Sequence, residues 1–152
     1  MNASFSFRAS ARWTTERRGT VEFESAAPPI DFSAPREFQG EAGLWTPEHF
    51  LLAAVSACFI TTFRAVAQLS KFTAEALEVS VEGTMEKAED GFRFTHIVLR
   101  PVLTIAAESE RERAVRLLEK AERSCLISRS LRSAVRMEPV IEIAVAAQSP
   151  AA

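Results

Sequence analysis

Phe5, Phe7, Ala9, Ala11 and Trp13 alternate with mostly polar residues at the start of the chain. A period of two belongs to a strand with one apolar face, so residues 4–13 are expected to form a strand. The polar stretch TTERRG at 14–19 supplies a turn, and residues 20–24 return as the second strand of a hairpin. Residues 26–43 hold Pro28, Pro29, Pro35, Gly40 and Gly43, which predicts an ordered but irregular loop. Loops of that length tend to serve a site or an interface.

The pattern then changes. Thr46 reads as an N-cap and Pro47 as the first helical residue, where a missing N–H costs nothing. The helix is expected to run to about Leu69, and its apolar residues nearly encircle it: Phe50 to Val55, Ala57, Phe59, Ile60 and Phe63. A helix apolar on all sides is buried on all sides. In a chain of this size that demands cover from two directions, and a partner subunit is an economical source of it.

Residues 77–87 and 92–105 predict two strands around the turn Ala88-Glu89-Asp90-Gly91. A second helix is expected over 109–124 with Val115, Leu118 and Ala121 on one face, a short helical piece over 128–135, and a final strand over 137–146. The order β-β-α-β-β-α-α-β separates strands from helices. The expected class is therefore α+β with antiparallel-rich sheets around a long buried central helix.

Composition narrows the function. At 152 residues, 47% hydrophobic and 25% charged, the chain has the make-up of one soluble globular domain spanning 1–152. A net charge of −2 argues against a nucleic-acid partner. The arginines of ESERERAVR at 108–116 alternate with glutamates and predict a solvated, self-paired face. The N-terminus lacks the apolar run of a secretory signal, and the longest apolar patch, 50–57, is shorter than a bilayer span, so no membrane association is expected. Two cysteines, at positions 58 and 125, then point to a reducing cytoplasm.

No standard site motif is present. Cys58, Cys125, His49 and His96 are four potential zinc ligands, but none has the spacing of a metal site, so no metal is expected. A Cys–His nucleophile pair has no support in the spacing either, and there is no glycine-rich phosphate loop or G-x-S-x-G elbow. Eleven phenylalanines with no tyrosine make a core, or line an apolar pocket. Each cysteine taken alone is most simply a small core residue. Three features favour chemistry instead. Cys58 lies on a buried helix, Glu48 and Arg17, Arg18 or Arg36 are at hand to charge a pocket, and Cys125, in SCLISRSL, falls where a helix breaks, its sulfur expected to face a neighbour.

The stretch TPEHFLLAAVSACF at 46–59 resembles the central helix of the OsmC/Ohr family, the osmotically inducible and organic hydroperoxide resistance proteins. There a Pro-Glu opens the helix and the peroxidatic cysteine follows ten residues after the glutamate, matching Pro47, Glu48 and Cys58. The family's Lys-Ala-x-x-x-Cys-x-x-Ser is matched by Lys120, Ala121, Cys125 and Ser128, and the likeness covers nearly the whole chain. Many relatives have a proline after the second cysteine, where this chain has Leu126. The segment PREFQGEAGLWTPEH at 35–49 is similar to a less studied OsmC-like branch.

The resemblance implies an intertwined homodimer and thiol-dependent reduction of organic hydroperoxides without metal, haem or flavin. Cys58 would attack the peroxide and become a sulfenic acid, Cys125 would condense with it to a disulfide, and an external dithiol of lipoyl type would restore both. An arginine would activate Cys58, held by Glu48; one branch points to Arg36, another to Arg17 or Arg18. Glu48 and Cys58 lie ten residues apart, about 15 Å along one helix, so a site using both needs Glu48 from a second, antiparallel copy. The rival reading is a non-enzymatic dimer that binds a small apolar ligand and keeps both cysteines reduced.

Overall fold

A computed structural model describes residues 4–22 and 27–145. Its contacts cluster into two compact units, Met1–Leu51 and Leu52–Ala152.

The first unit holds a three-stranded antiparallel sheet in the order β1 (Ser10–Thr15), β2 (Arg18–Glu22), β3 (Ile30–Ser33). The hairpin turn uses Glu16 at φ 45°, and the Trp13 indole N–H donates to the Glu16 carbonyl at 2.9 Å. The strand expected over 4–13 is displaced. It begins at Ser10, pairs Ser10 with Glu22, and is exposed at all six residues, while Phe5 and Phe7 precede it at 81% and 94% exposure. Alternation reports that one face is apolar; whether anything covers that face is a tertiary matter. The second strand starts two residues earlier than expected, and residues 23–24 of that expectation lie outside the described residues.

The predicted irregular loop also contains structure. Ile30–Ser33 adds a strand to β2, with Thr20 Oγ donating to Asp31 Oδ1 at 2.9 Å, and a 3-10 turn follows at Arg36–Phe38. Four residues flanked by prolines are too few to show a period, so pairing with β2 decides their conformation.

Helix α1 (Pro47–Leu69) starts where expected. The Thr46 hydroxyl accepts from the His49 N–H at 3.3 Å, and His49 Nδ1 accepts from the Thr46 N–H at 3.2 Å, a reciprocal cap. Contrary to the expectation that no run reaches the length of a bilayer span, α1 is long and apolar enough to cross a membrane by length and composition alone. Ser56 interrupts the apolar run, but Glu48 and Arg64 are the only charges in the helix.

In the second unit, β4 (Ala76–Ala88) and β5 (Gly91–Ile105) form a long antiparallel hairpin. Gly91, at φ 116°, closes its turn in a region other residues rarely enter. Helix α2 (Arg111–Ser124) follows a 3-10 turn at Glu108–Glu110, then come α3 (Leu126–Ser130), β6 (Ala134–Met137) and β7 (Val140–Ile143). The short helix thus lies earlier than the expected 128–135. Both last strands run parallel to β5, β6 beside 96–99 and β7 beside 102–105. The single final strand expected over 137–146 is split because Pro139 falls in it opposite Pro101 of β5, and neither proline brings an N–H to the ladder.

The core lies between this sheet and the helices. Val55, Phe59, Phe63, Val66 and Ala67 form one stripe of α1, and Ile97, Leu99, Leu103 and Ile105 form one face of β5. From α2 come Ala114, Leu117, Leu118 and Ala121; Val115, expected among them, is only half-buried. A Cβ on Gly83 would meet Leu52 Cδ2 at 2.8 Å, so glycine lets α1 approach β4 closely. The remaining sides of α1 are not buried within the chain: Ile60 is half-exposed and Leu69 is 84% exposed.

Candidate active site

Cys58 sits in the middle of α1, half-buried, with its Sγ 3.9 Å from the hydroxyl of Thr62 one turn on. Cys125 lies between α2 and α3 with φ −64° and ψ 113°, an extended residue between two helices. The break leaves the first N–H groups of α3 without partners inside that helix. Two of them, from Ile127 and Leu126, act electrostatically with the Cys125 thiol to favour the charged form of the Cys58 sulfur. Ser128, buried one turn into α3, donates its hydroxyl to Cys125 Sγ at 3.3 Å.

Cys125 is fully buried. The helix break expected at this residue is present, but the sulfur does not face outward. The extended backbone turns the side chain inward, toward Cys58 and Ser128.

The two sulfurs are electrostatically unequal. Burial opposes the Cys58 thiolate, but donation from the Ile127 N–H, the Cys125 thiol, the Thr62 hydroxyl and the Leu126 N–H outweighs it, and the pKa falls below the ordinary thiol value. Burial also raises the Cys125 pKa; the Ser128 hydroxyl and N–H act against this, and the Cys58 charge adds to it, leaving Cys125 above the ordinary value. The arrangement favours the thiolate at Cys58 and the protonated thiol at Cys125. Thiolate is the nucleophilic form of cysteine.

Within the second unit the groups that favour the Cys58 thiolate are two backbone N–H groups, a thiol and a hydroxyl. Thr62 stands four residues from Cys58 and was recoverable from helical spacing. The N–H groups of Leu126 and Ile127 carry no side-chain signature.

Glu48 opens α1, half-buried, and its Oε2 is buried without a hydrogen-bond partner among the described residues. Arg36 is exposed in the 3-10 turn. Arg17 donates to Gln39 Oε1 at 3.3 Å, and Arg18 pairs with Glu41 at 3.5 Å. The first unit therefore does not pair Glu48 with any of the three candidate arginines. His49 is engaged in the α1 cap, and His96 is exposed on β5 with Nδ1 3.8 Å from Glu86. Among the described residues no three His, Cys, Asp or Glu side chains are grouped to hold a metal ion.

An α+β fold with two electrostatically coupled thiols, one half-buried with a lowered pKa and one fully buried with a raised pKa, defines a cysteine-pair protein. The model of the OsmC family, described as OsmC-like protein, matches residues 40–140, and the chain belongs to that family. Among curated proteins it is 29% identical over 139 residues to the uncharacterized protein YmaD of Bacillus subtilis, covering 90% of this chain and 93% of YmaD. It is 25% identical over 124 residues to the peroxiredoxin OsmC of Escherichia coli, covering 80% of this chain and 84% of that protein. The crystal structure of an organic hydroperoxide resistance protein OsmC from Legionella pneumophila superposes with a TM-score of 0.74 at 28% identity, over 93% of this chain and 99% of that one. The family thus includes peroxidases and redox proteins, and its α+β fold is the fold of this chain.

Proposed function

We propose that this chain, acting as a single OsmC-like domain, is a thiol-dependent peroxidase for organic hydroperoxides. The observation that carries the reading is a half-buried Cys58 beside the Thr62 hydroxyl, with a lowered pKa, coupled to a fully buried Cys125 that accepts from Ser128 and has a raised one. Cys58 thiolate attacks the distal peroxide oxygen, the O–O bond breaks, and the alkoxide leaves and takes up a proton as the alcohol. Cys58 is then a sulfenic acid. The Cys125 sulfur attacks it, water departs, and a Cys58–Cys125 disulfide forms before further oxidation. An external dithiol, lipoyl-type as the family resemblance implies, reduces the disulfide.

The working form is a cytoplasmic homodimer with two sites. Three observations support the pairing. The sides of α1 away from the core are not buried within the chain. Glu48 Oε2 is buried without a partner, and an unsatisfied carboxylate oxygen is costly to keep. And Glu48 and Cys58 of one helix are about 15 Å apart along its axis. A second, antiparallel copy of α1 brings its Glu48 to Cys58, where Glu48 holds Arg36 over the peroxide oxygens; Arg17 and Arg18 are the alternatives for that role.

The test is one equivalent of an organic hydroperoxide followed by mass spectrometry. The expected product has lost two hydrogens and yields a Cys58–Cys125 crosslinked peptide. Two unreacted thiols refute the reading and favour a dimer that only binds a small apolar ligand.

A further inference from the structure

The return of the oxidised protein to the dithiol state poses a choice that the peroxide step does not. A disulfide has two sulfurs, and an incoming thiolate adds to one while the other leaves with the electron pair. Exchange is faster when the leaving sulfur is the better stabilised and the attacked sulfur the more accessible. Here the two criteria oppose each other: Cys58 has the lower pKa and would leave more readily, but only Cys58 is open to attack, so Cys125 needs a donor of its own in order to leave. Cys58 is half-buried on α1, whereas Cys125 is fully buried. The Ser128 hydroxyl donates to Cys125 Sγ at 3.3 Å from three residues along the same turn. The contact spans only three residues of one turn, so it stays within reach of the Cys125 sulfur when that sulfur leaves.

We propose that Ser128 is a positioning residue of the reductive half-reaction: by donating to the Cys125 sulfur it makes Cys125 the leaving group and directs the reducing dithiol onto Cys58. The inference rests on the disulfide chemistry proposed above. In the first step a thiolate of the dithiol attacks Cys58 Sγ, a new S–S bond joins the reductant to Cys58, and the Cys58–Cys125 bond breaks. Its electron pair departs on Cys125 Sγ, which receives the Ser128 hydrogen bond as a thiolate and then takes a proton from solvent. In the second step the other thiol of the reductant, deprotonated, attacks the reductant's own sulfur in the mixed disulfide. It closes the reductant's disulfide and expels Cys58 as a thiolate. Two electrons pass from the dithiol to the protein, and the Cys58 thiolate is restored directly in its reactive form. An approach to Cys125 would instead require entry into a packed interior and would expel Cys58.

The full-length protein is oxidised with diamide, which makes the disulfide without any hydroperoxide, and its reduction by dithiothreitol is followed by stopped flow. Ser128→Ala is expected to slow reduction roughly ten- to a hundredfold, the scale of losing a hydrogen bond to a charged group. Ser128→Thr, which keeps the hydroxyl, is expected to recover most of that loss. In a parallel series with monothiols in place of dithiothreitol, the deficit should shrink as the attacking thiol becomes a stronger nucleophile, a trend that a loosened fold would not produce. On the wild-type protein, quenching with acid during reduction by 2-mercaptoethanol and mapping the mixed disulfide should place the adduct on Cys58. An adduct on Cys125, or equal reduction rates in wild type and Ser128→Ala, overturns the proposal while leaving the peroxidase reading intact. Failure of diamide to form any Cys58–Cys125 bond overturns both. A disulfide that forms and behaves as described, in a protein inert to hydroperoxides, upholds Ser128 and removes the peroxidase.

Discussion

Cys58 and Cys125 are shifted in opposite directions: at Cys58 burial is outweighed by donors led by the Ile127 N–H and the pKa falls, whereas burial, reinforced by Cys58, raises that of Cys125. The unequal surroundings of the two sulfurs therefore assign the roles. The more deeply buried thiol favours its proton, and the sulfur surrounded by donors is the better nucleophile. Proximity alone would leave the two interchangeable.

The cysteines are accordingly separable by mutation. Cys58→Ser should abolish hydroperoxide consumption, because the remaining thiol is fully buried and burial raises its pKa. Cys125→Ser should retain the first turnover and then accumulate Cys58 sulfinic acid under excess peroxide, since nothing is left to trap the sulfenate. Single-turnover kinetics with mass analysis distinguishes the two, and equal loss of the first turnover in both variants would contradict the assignment.

Leu126 offers a test of the backbone donors. Its side chain is 70% exposed, it is the first residue of α3, and the preceding ψ of 113° is one that proline accepts. Leu126→Pro should therefore fold while removing one N–H from the Cys58 sulfur, and the Cys58 titration midpoint should rise. Because the wild-type pKa is lower folded than unfolded, the thiolate contributes stability at pH above the unfolded pKa, and that contribution fades as pH falls through the folded value. The variant should lose part of it on the alkaline side. Ultraviolet thiolate absorbance against pH measures the midpoint, and alkylation at neutral pH should slow roughly two- to tenfold, the scale of one hydrogen bond. An unmoved midpoint would mean that the side-chain donors suffice.

Glu48→Gln keeps the start of α1 but removes the charge proposed to fix the arginine. Reaction with an organic hydroperoxide should slow by roughly one to three orders of magnitude, the scale lost when a positioned group loosens. A mixed dimer of Glu48→Gln and Cys58→Ser subunits is sharper. With each site built from both chains, one site carries both lesions and the other neither, so about half of the wild-type activity should survive, taking the sites as independent. If each site drew both residues from one chain, every site would carry a lesion and activity would nearly vanish.

Local features were legible in the order of residues. Thr46-Pro47 starts α1 because capping chemistry acts over three or four residues, and the expected end at Leu69 holds for the same helix. The turn at Ala88 to Gly91 and the two long strands beside it follow from alternation and from the one residue type suited to positive φ. The two cysteines and their motif spacing were likewise legible, and the OsmC-like family follows from them.

Tertiary structure alone decided which apolar faces find cover and which groups meet. The alternation at 4–13 marks an apolar face that β1 leaves exposed, and Ile30–Ser33 becomes a strand only because β2 lies alongside. The last strand divides because Pro139 falls opposite Pro101, a coincidence of register between distant segments. The Cys58 donors follow the same rule. Thr62 lies one helical turn away, but the N–H groups of Leu126 and Ile127 reach the sulfur only because the chain breaks at Cys125 and returns. A backbone N–H is the same in every residue but proline, so its use leaves no mark in the sequence.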